Sequence, residues 1–153
     1  MNETITWHWH HFDELTTLQL HNIIMERVNV FVVEQSCPYP EIDNLDTNAY
    51  HLWTEDEDNN ILAYLRITPP KIKYVEPSLT RILTTEKARG TGLGKILTAK
   101  ALEKCNQMWP NESIRISAQK YLQNFYTNMG FIFTGKSYSE DSIPHIEMLK
   151  ECK

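Results

Sequence analysis

Arg89, Gly90, Gly92, Gly94 and Lys95 stand close together in ARGTGLGKILTAKALEKC, residues 88–105. Glycines alternate with other residues between two cations, and apolar residues at helical spacing follow at once. The first N–H groups of a helix lack intrahelical partners and carry the positive end of its dipole. Glycines remove the Cβ atoms that would keep a phosphate away from those groups. Arg89, Gly92 and Gly94 meet R-x-x-G-x-G, which suits a pyrophosphate. The stretch is not the P-loop G-x-x-x-x-G-K-[ST]: Ile96 follows Gly94-Lys95, and Arg89 stands where the first glycine belongs. Nor is it the dinucleotide G-x-G-x-x-G, which opens a first βαβ unit. A tight strand-to-helix turn that needs glycine only for its backbone is the remaining alternative.

The elements around this loop must place it. TITWHWHHF alternates, with Ile5, Trp7 and Trp9 on one face and Thr6, His8 and His10 on the other, as in a half-buried strand. Asp13 is expected to cap a helix carrying Leu15, Leu18, Ile23, Ile24, Val28 and Phe31. EQSCPYPEIDNLDTNAY has no period and reads as a long loop, a kind often functional in a compact domain. YHLWTEDEDNNILAYLRIT reads as a β-hairpin and LTRILTT as a strand. The glycines then open a helix from about Leu93 to Trp109, ended by Pro110. SIRISA is a strand, KYLQNFYTNM a helix closed by Gly130, and FIFTGKSY and IPHIEMLK are two more strands. This order argues α/β or α+β, a largely antiparallel sheet covered by helices.

The chain of 153 residues is one domain's worth, with 41% hydrophobic and 23% charged residues. Its formal charge of −5 argues against nucleic acid as a partner, because phosphate binding needs a basic surface. No stretch approaches the ~20 apolar residues of a membrane span. MNETITWHWHHF has neither a basic n-region nor an apolar h-region, so a cytoplasmic protein is expected. Cys37, Cys105 and Cys152 form no zinc spacing and no disulfide framework. His8 and His10 share a strand face, but no third ligand stands nearby, so solvent-facing side chains and no metal are expected.

RILTTEKARGTGLGKIL resembles the strand, pyrophosphate loop and helix of the GNAT superfamily of N-acetyltransferases. SAQKYLQNFYTNMGFIFTG resembles that family's next strand, short helix and turn, in the right order. FVVEQSCPYPEIDNLD, AQKYLQNFY and SIPHIEM further resemble the ElaA-like subgroup. The resemblance spans nearly the whole chain. It implies a single domain over 1–153 with the GNAT fold. That fold is a mixed, mostly antiparallel twisted sheet of about seven strands with a splayed centre, flanked by about four helices.

The resemblance also implies acetyl-CoA as co-substrate and a primary amine, on a small molecule or peptide, as acceptor. A bulge would free the backbone of Ile82, Leu83 and Thr84 to pair with the pantetheine arm. Arg89 and the N–H groups of Gly90, Thr91, Gly92, Leu93, Gly94 and Lys95 would hold the pyrophosphate. Gln119 falls where the family often has an asparagine near the cofactor. Tyr126 matches the tyrosine that serves as general acid to the leaving thiolate; on spacing alone it is a core aromatic. An amine with a pKa of about 10.4 must lose a proton before it attacks. Glu34, in FVVEQ, is the first candidate base and His145, in IPHIE, the second. Tyr39, Glu41, Asp43, Asp46 and His51 are expected on the substrate side. Cys37 as an acetylated nucleophile has no base beside it in sequence, so direct transfer is favoured. Family members are often dimers, which makes a homodimer an expectation. The rivals are a non-catalytic acyl-CoA-binding module and an acyltransferase using another acyl-CoA.

Overall fold

The computed structural model describes residues 4–152. The leader expectation rests partly on residues 1–3, which lie outside the described residues. In chain order the elements are β1 (Thr6–His11), α1 (Thr17–Val28), β2 (Tyr50–Glu55), β3 (Ile61–Thr68), β4 (Ser78–Thr84), α2 (Leu93–Met108), β5 (Ile114–Gln119), α3 (Gln123–Asn128), β6 (Ile132–Glu140) and β7 (Ile143–Lys150). Strands β1 to β4 form one sheet in sequential order, and β5, β7 and β6 a second, with every ladder antiparallel. Among the described residues there are three α-helices where about four were expected; the other helical segments are short turns or an extension of α1.

The run ILAYLRIT has no polar face because β3 has no wet face: all of its 8 residues are buried. On one side Leu52, Leu65 and Ile67 pack with Leu97 and Ala101 of α2. On the other, Trp53 and Tyr64 pack with Ile23 of α1 and Val30 just beyond it. Two covered faces also correct the reading of β1. His8 and His10 face solvent only in part: His8 stacks on Trp53 with ring centroids 4.9 Å apart, and His10 lies 5.8 Å from the same ring.

Helix α1 starts later than Asp13. Thr16 Oγ1 accepts from the Gln19 N–H at 3.0 Å, and Gln19 Oε1 accepts from the Thr16 N–H at 2.9 Å, a reciprocal cap. Asp13 instead lies in a single 3₁₀ turn, Phe12–Glu14, capped by His11. Leu18 points to solvent rather than to the core. Beyond Val28 the helix widens into a π-helical segment, Asn29–Glu34. Such widening is frequent at functional sites, and here it re-aims Val30, Phe31 and Glu34 toward β4.

The long loop after that segment is fixed by charge. Arg27 is fully buried and donates from Nε and Nη2 to Glu41 Oε2, at 2.8 and 2.6 Å, and from Nη1 to Asp46 Oδ1 at 2.6 Å. Arg66, also fully buried on β3, donates to Asp43 Oδ1 at 2.8 Å and to Asp46 Oδ1 at 2.9 Å. Arg81 Nε donates to Glu41 Oε2 at 2.8 Å. Burial opposes charge on Asp43 and Asp46, but the arginines outweigh it and hold both carboxyls below their ordinary range.

Removing Arg27 strands Glu41 and Asp46 in the interior. Arg27→Met is expected to cost about 3–5 kcal/mol in urea unfolding, and a loss under about 1 kcal/mol would disprove the central role of the network. Carboxyls depressed in the folded state stabilise it fully above the unfolded-state value near 3.9, and that stability drains as pH falls through the folded values. The urea midpoint should therefore drop between about pH 5 and about pH 3, and less steeply in the variant.

Candidate active site

The two sheets meet at β4 and β5. Their first residues lie side by side, with the Arg115 N–H donating to the Pro77 carbonyl at 3.1 Å. Past that bond no ladder joins them, and the strands part. A bulge accompanies the parting. The β3–β4 register runs Tyr64↔Leu83 and then Arg66↔Thr80, so β4 carries an extra residue there. Arg81, in the bulge, adopts a left-handed conformation with φ 54°. The opening is a cavity of about 660 Å³ walled by both strands, the π segment, α3 and the β6–β7 turn.

At one end the cavity meets the glycine loop. Ile82, Leu83 and Thr84 line it along β4, and Arg89 and Gly94 continue the wall. Gly90 and Gly92 take φ of 78° and 81°, conformations that disfavour any side chain, and open space lies where a Cβ would point. Gly94 is needed for another reason: a Cβ there would meet Thr84 Cγ2 at 3.3 Å, so its absence lets α2 approach β4. Gly92 caps α2 without any side-chain acceptor, which leaves the first N–H groups of the helix unclaimed. Gly90, Thr91, Gly92, Leu93 and Lys95 lie outside the cavity wall itself; Leu93 turns its side chain into the core and Lys95 is exposed. Arg89 donates from Nε to the Thr84 carbonyl at 3.1 Å and pairs through Nη2 with Glu34 Oε1 at 2.5 Å. Glu34 thus reaches the cavity already bound to a guanidinium.

Tyr126 and Gln119 line the middle. Tyr126 is buried, wedged edge-on between Phe125 and Phe131. Burial, with Tyr121 adding to it, raises its phenol above the ordinary value, so it stays protonated at neutral pH. Among the described residues its hydroxyl makes no hydrogen bond, which leaves it free for the cavity. The core-aromatic and cavity-facing readings of this residue are therefore both met.

At the far end Tyr39 and His145 line the wall. The Tyr39 O–H donates to Glu41 Oε1 at 2.6 Å. His145 Nδ1 lies 2.8 Å from the Ile143 carbonyl, which can only accept, so Nδ1 carries a proton and Nε2 is the ring's one position for taking up or giving one. Nε2 lies 3.5 Å from Glu140 Oε2, and the ring stacks on Tyr138. The Tyr138 O–H donates to Ser117 Oγ at 2.5 Å, and Ser117 Oγ donates to Glu140 Oε1 at 3.2 Å.

Four of the five expected substrate-side residues, Glu41, Asp43, Asp46 and His51, do not line the cavity. Asp43 is spent on Arg66, and His51 is fully buried between Tyr64 and the Asp46 backbone. The Asp46 carbonyl accepts from His51 Nε2 at 3.2 Å, so Nδ1, 2.7 Å from the Tyr64 hydroxyl, accepts. Burial pushes the His51 imidazole down to about 4, which keeps it neutral. Glu41 and Asp46 are likewise consumed by arginines. The sequence showed acids in a loop but not the buried arginines that neutralise them. It also missed Lys73, Arg81 and Glu140, all of which line the cavity. An arginine inside the apolar strand LTRILT was the one visible signal, for Arg81.

The profile described as "Acetyltransferase (GNAT) domain" matches residues 20–152. The protein ElaA of Escherichia coli is 40% identical over 96% of this chain and 97% of its own. A UPF0039 protein of Synechocystis is 37% identical over 95% and 94%. Among solved structures, an acyl-CoA N-acyltransferase from Pseudomonas aeruginosa superposes with a TM-score of 0.91 at 37% identity, covering 96% of this chain and 99% of its own. The crystal structure of E. coli ElaA gives 0.90 at 37%, covering 97% and 100%.

Proposed function

Because the chain belongs to the GNAT acetyltransferase family, we propose that it transfers the acetyl group of acetyl-CoA directly to a primary amine of a small molecule or peptide. The observation that carries this is the cavity between the parted strands, which joins a protonated, unpartnered phenol to an open glycine turn. The residues fit the co-substrate. Unclaimed N–H groups of α2 and the space over Gly90 and Gly92 suit a pyrophosphate. The edge of β4 at Ile82, Leu83 and Thr84, unpaired on the β5 side, suits the amide-bearing pantetheine arm. Gln119 lines the same stretch and can hydrogen-bond the arm.

In this mechanism the acceptor nitrogen attacks the thioester carbonyl carbon. The carbonyl oxygen gains negative charge, which a backbone N–H of Leu83 or Thr84 stabilises. The C–S bond then breaks, the thiolate takes the Tyr126 proton, and the amide leaves with the acetyl group. The amine's proton goes to Nε2 of His145, which lines the cavity and faces Glu140. We assign the base to His145 rather than Glu34, because Glu34 is held by Arg89 and must give up that pair to act. Glu34 then serves to aim Arg89 at the pyrophosphate. The compartment we assign is the cytoplasm; among the described residues no helix is long and apolar enough to cross a membrane.

Calorimetric titration with acetyl-CoA tests the first half. The native protein should bind, and Gly92→Glu, with its fold verified by circular dichroism, should not, since it sets a carboxylate where the phosphates belong. No binding by the native chain would remove the proposal. Tyr126→Phe tests the second half: acetyl-CoA affinity should hold while kcat falls about 10²–10⁴-fold. Unchanged turnover would deny Tyr126 the acid role, and binding without turnover to any amine would favour a non-catalytic acyl-CoA module. Competition by longer acyl-CoAs, measured alongside, decides the donor.

A further inference from the structure

The acceptor end of the cavity carries a cation with no partner. Lys73, in the connection before β4, lines the cavity and is half buried. Among the described residues its ammonium makes no ion pair or hydrogen bond; its nearest recorded company is the Tyr74 ring, 5.5 Å from Nζ to the centroid. The surrounding charges do not cover it. Arg27, Arg66 and Arg81 are matched one for one by Glu41, Asp43 and Asp46. Glu140, on the β6–β7 side, is engaged by Ser117 and faces His145. A half-buried ammonium left over in a cavity wall is unfavourable, and an anion entering the cavity relieves it.

Arg81 adds to the same wall. Its guanidinium lies over the rings of Phe31 and Tyr39, 6.0 and 5.7 Å from their centroids, and its backbone is held left-handed. Only Nε is hydrogen-bonded; Nη2 stands 3.6 Å from Asp43 Oδ2. A strained bulge thus presents terminal guanidinium donors to the cavity that Lys73 also lines. The phosphates of the co-substrate do not explain Lys73. Lys73 precedes β4 and Arg89 follows it, and the 7 residues of that strand span roughly 20 Å.

We propose that the acceptor is an amino carboxylate, its carboxylate held by Lys73 and Arg81 and its amine directed to His145 and Glu140. This rests on the acetyltransferase reading and names the acceptor class for it. Burial pulls the Lys73 ammonium below its ordinary value, with Glu140 the main opposing charge, so a bound carboxylate would restore it.

The test is binding of matched pairs to the protein saturated with CoA: phenylalanine against phenethylamine, and lysine against cadaverine. In each pair the carboxylated member should bind at least about tenfold tighter. In Lys73→Met the ratio should fall toward one, while Lys73→Arg keeps it and acetyl-CoA affinity stays native in both. The proposal is overturned if the native protein prefers the plain amines or fails to discriminate, or if Lys73→Met weakens both members alike. A Lys73→Arg variant that loses turnover while Lys73→Met keeps the binding preference would make Lys73 a base and equally overturn it. Failure of the acetyltransferase reading shows separately, as absence of acetyl-CoA binding.

Discussion

Arg27 ties the end of α1 to the long loop that follows it. It reaches out of the last turn of α1, fully buried, and binds carboxylates from a loop that has almost no regular structure of its own. Asp46 passes the connection to Arg66 on β3, and Glu41 passes it to Arg81 in the bulge of β4. Helix, loop and two strands are thereby locked by one balanced set of charges. A buried ion is tolerable only when it is paired and hydrogen-bonded, so each member enforces the position of the others. The cavity inherits this rigidity, since Tyr39 is held by Glu41 and Arg81 by Glu41 and two aromatic rings.

The second constraint is the parting of β4 from β5. Backbone groups along a strand edge are ordinarily paired or wet. Here they face a cavity that also receives the N-terminus of α2 and the buried face of α3. A bulge, a π-helical widening and a glycine turn each break local regularity, and all three border the same space. Strained or irregular backbone concentrated in one place is the pattern of a working site rather than of a scaffold.

Most of the fold could be read from periodicity. The hairpin of β2 and β3, the helix after the glycines and the closing pair of strands follow from patterns of period two and three to four that burial then enforces. The glycine loop was readable because only backbone geometry explains such spacing. What failed was whatever depends on partners distant in sequence. Asp43 and His51 look like substrate ligands until Arg66 and Tyr64 are brought against them. His8 and His10 look fully wet until the Trp53 ring is brought against them from β2. Asp13 is a plausible cap, but Thr16 with Gln19 offers two reciprocal bonds and wins. Lys73 carried no signal, because an unpaired lysine is defined by what is missing around it.

The bond from Arg115 to Pro77 acts as the clasp of a wedge. Each sheet keeps its own ladders, so the mouth between β4 and β5 can widen by rotation about that closed end without rupturing a rung. Compliance is thus concentrated at the open end, beside the glycine turn, while the closed end and the charge lock stay stiff. A family built on such a wedge can change the bulk it admits by repacking a few side chains at the mouth, with the hinge left as it is.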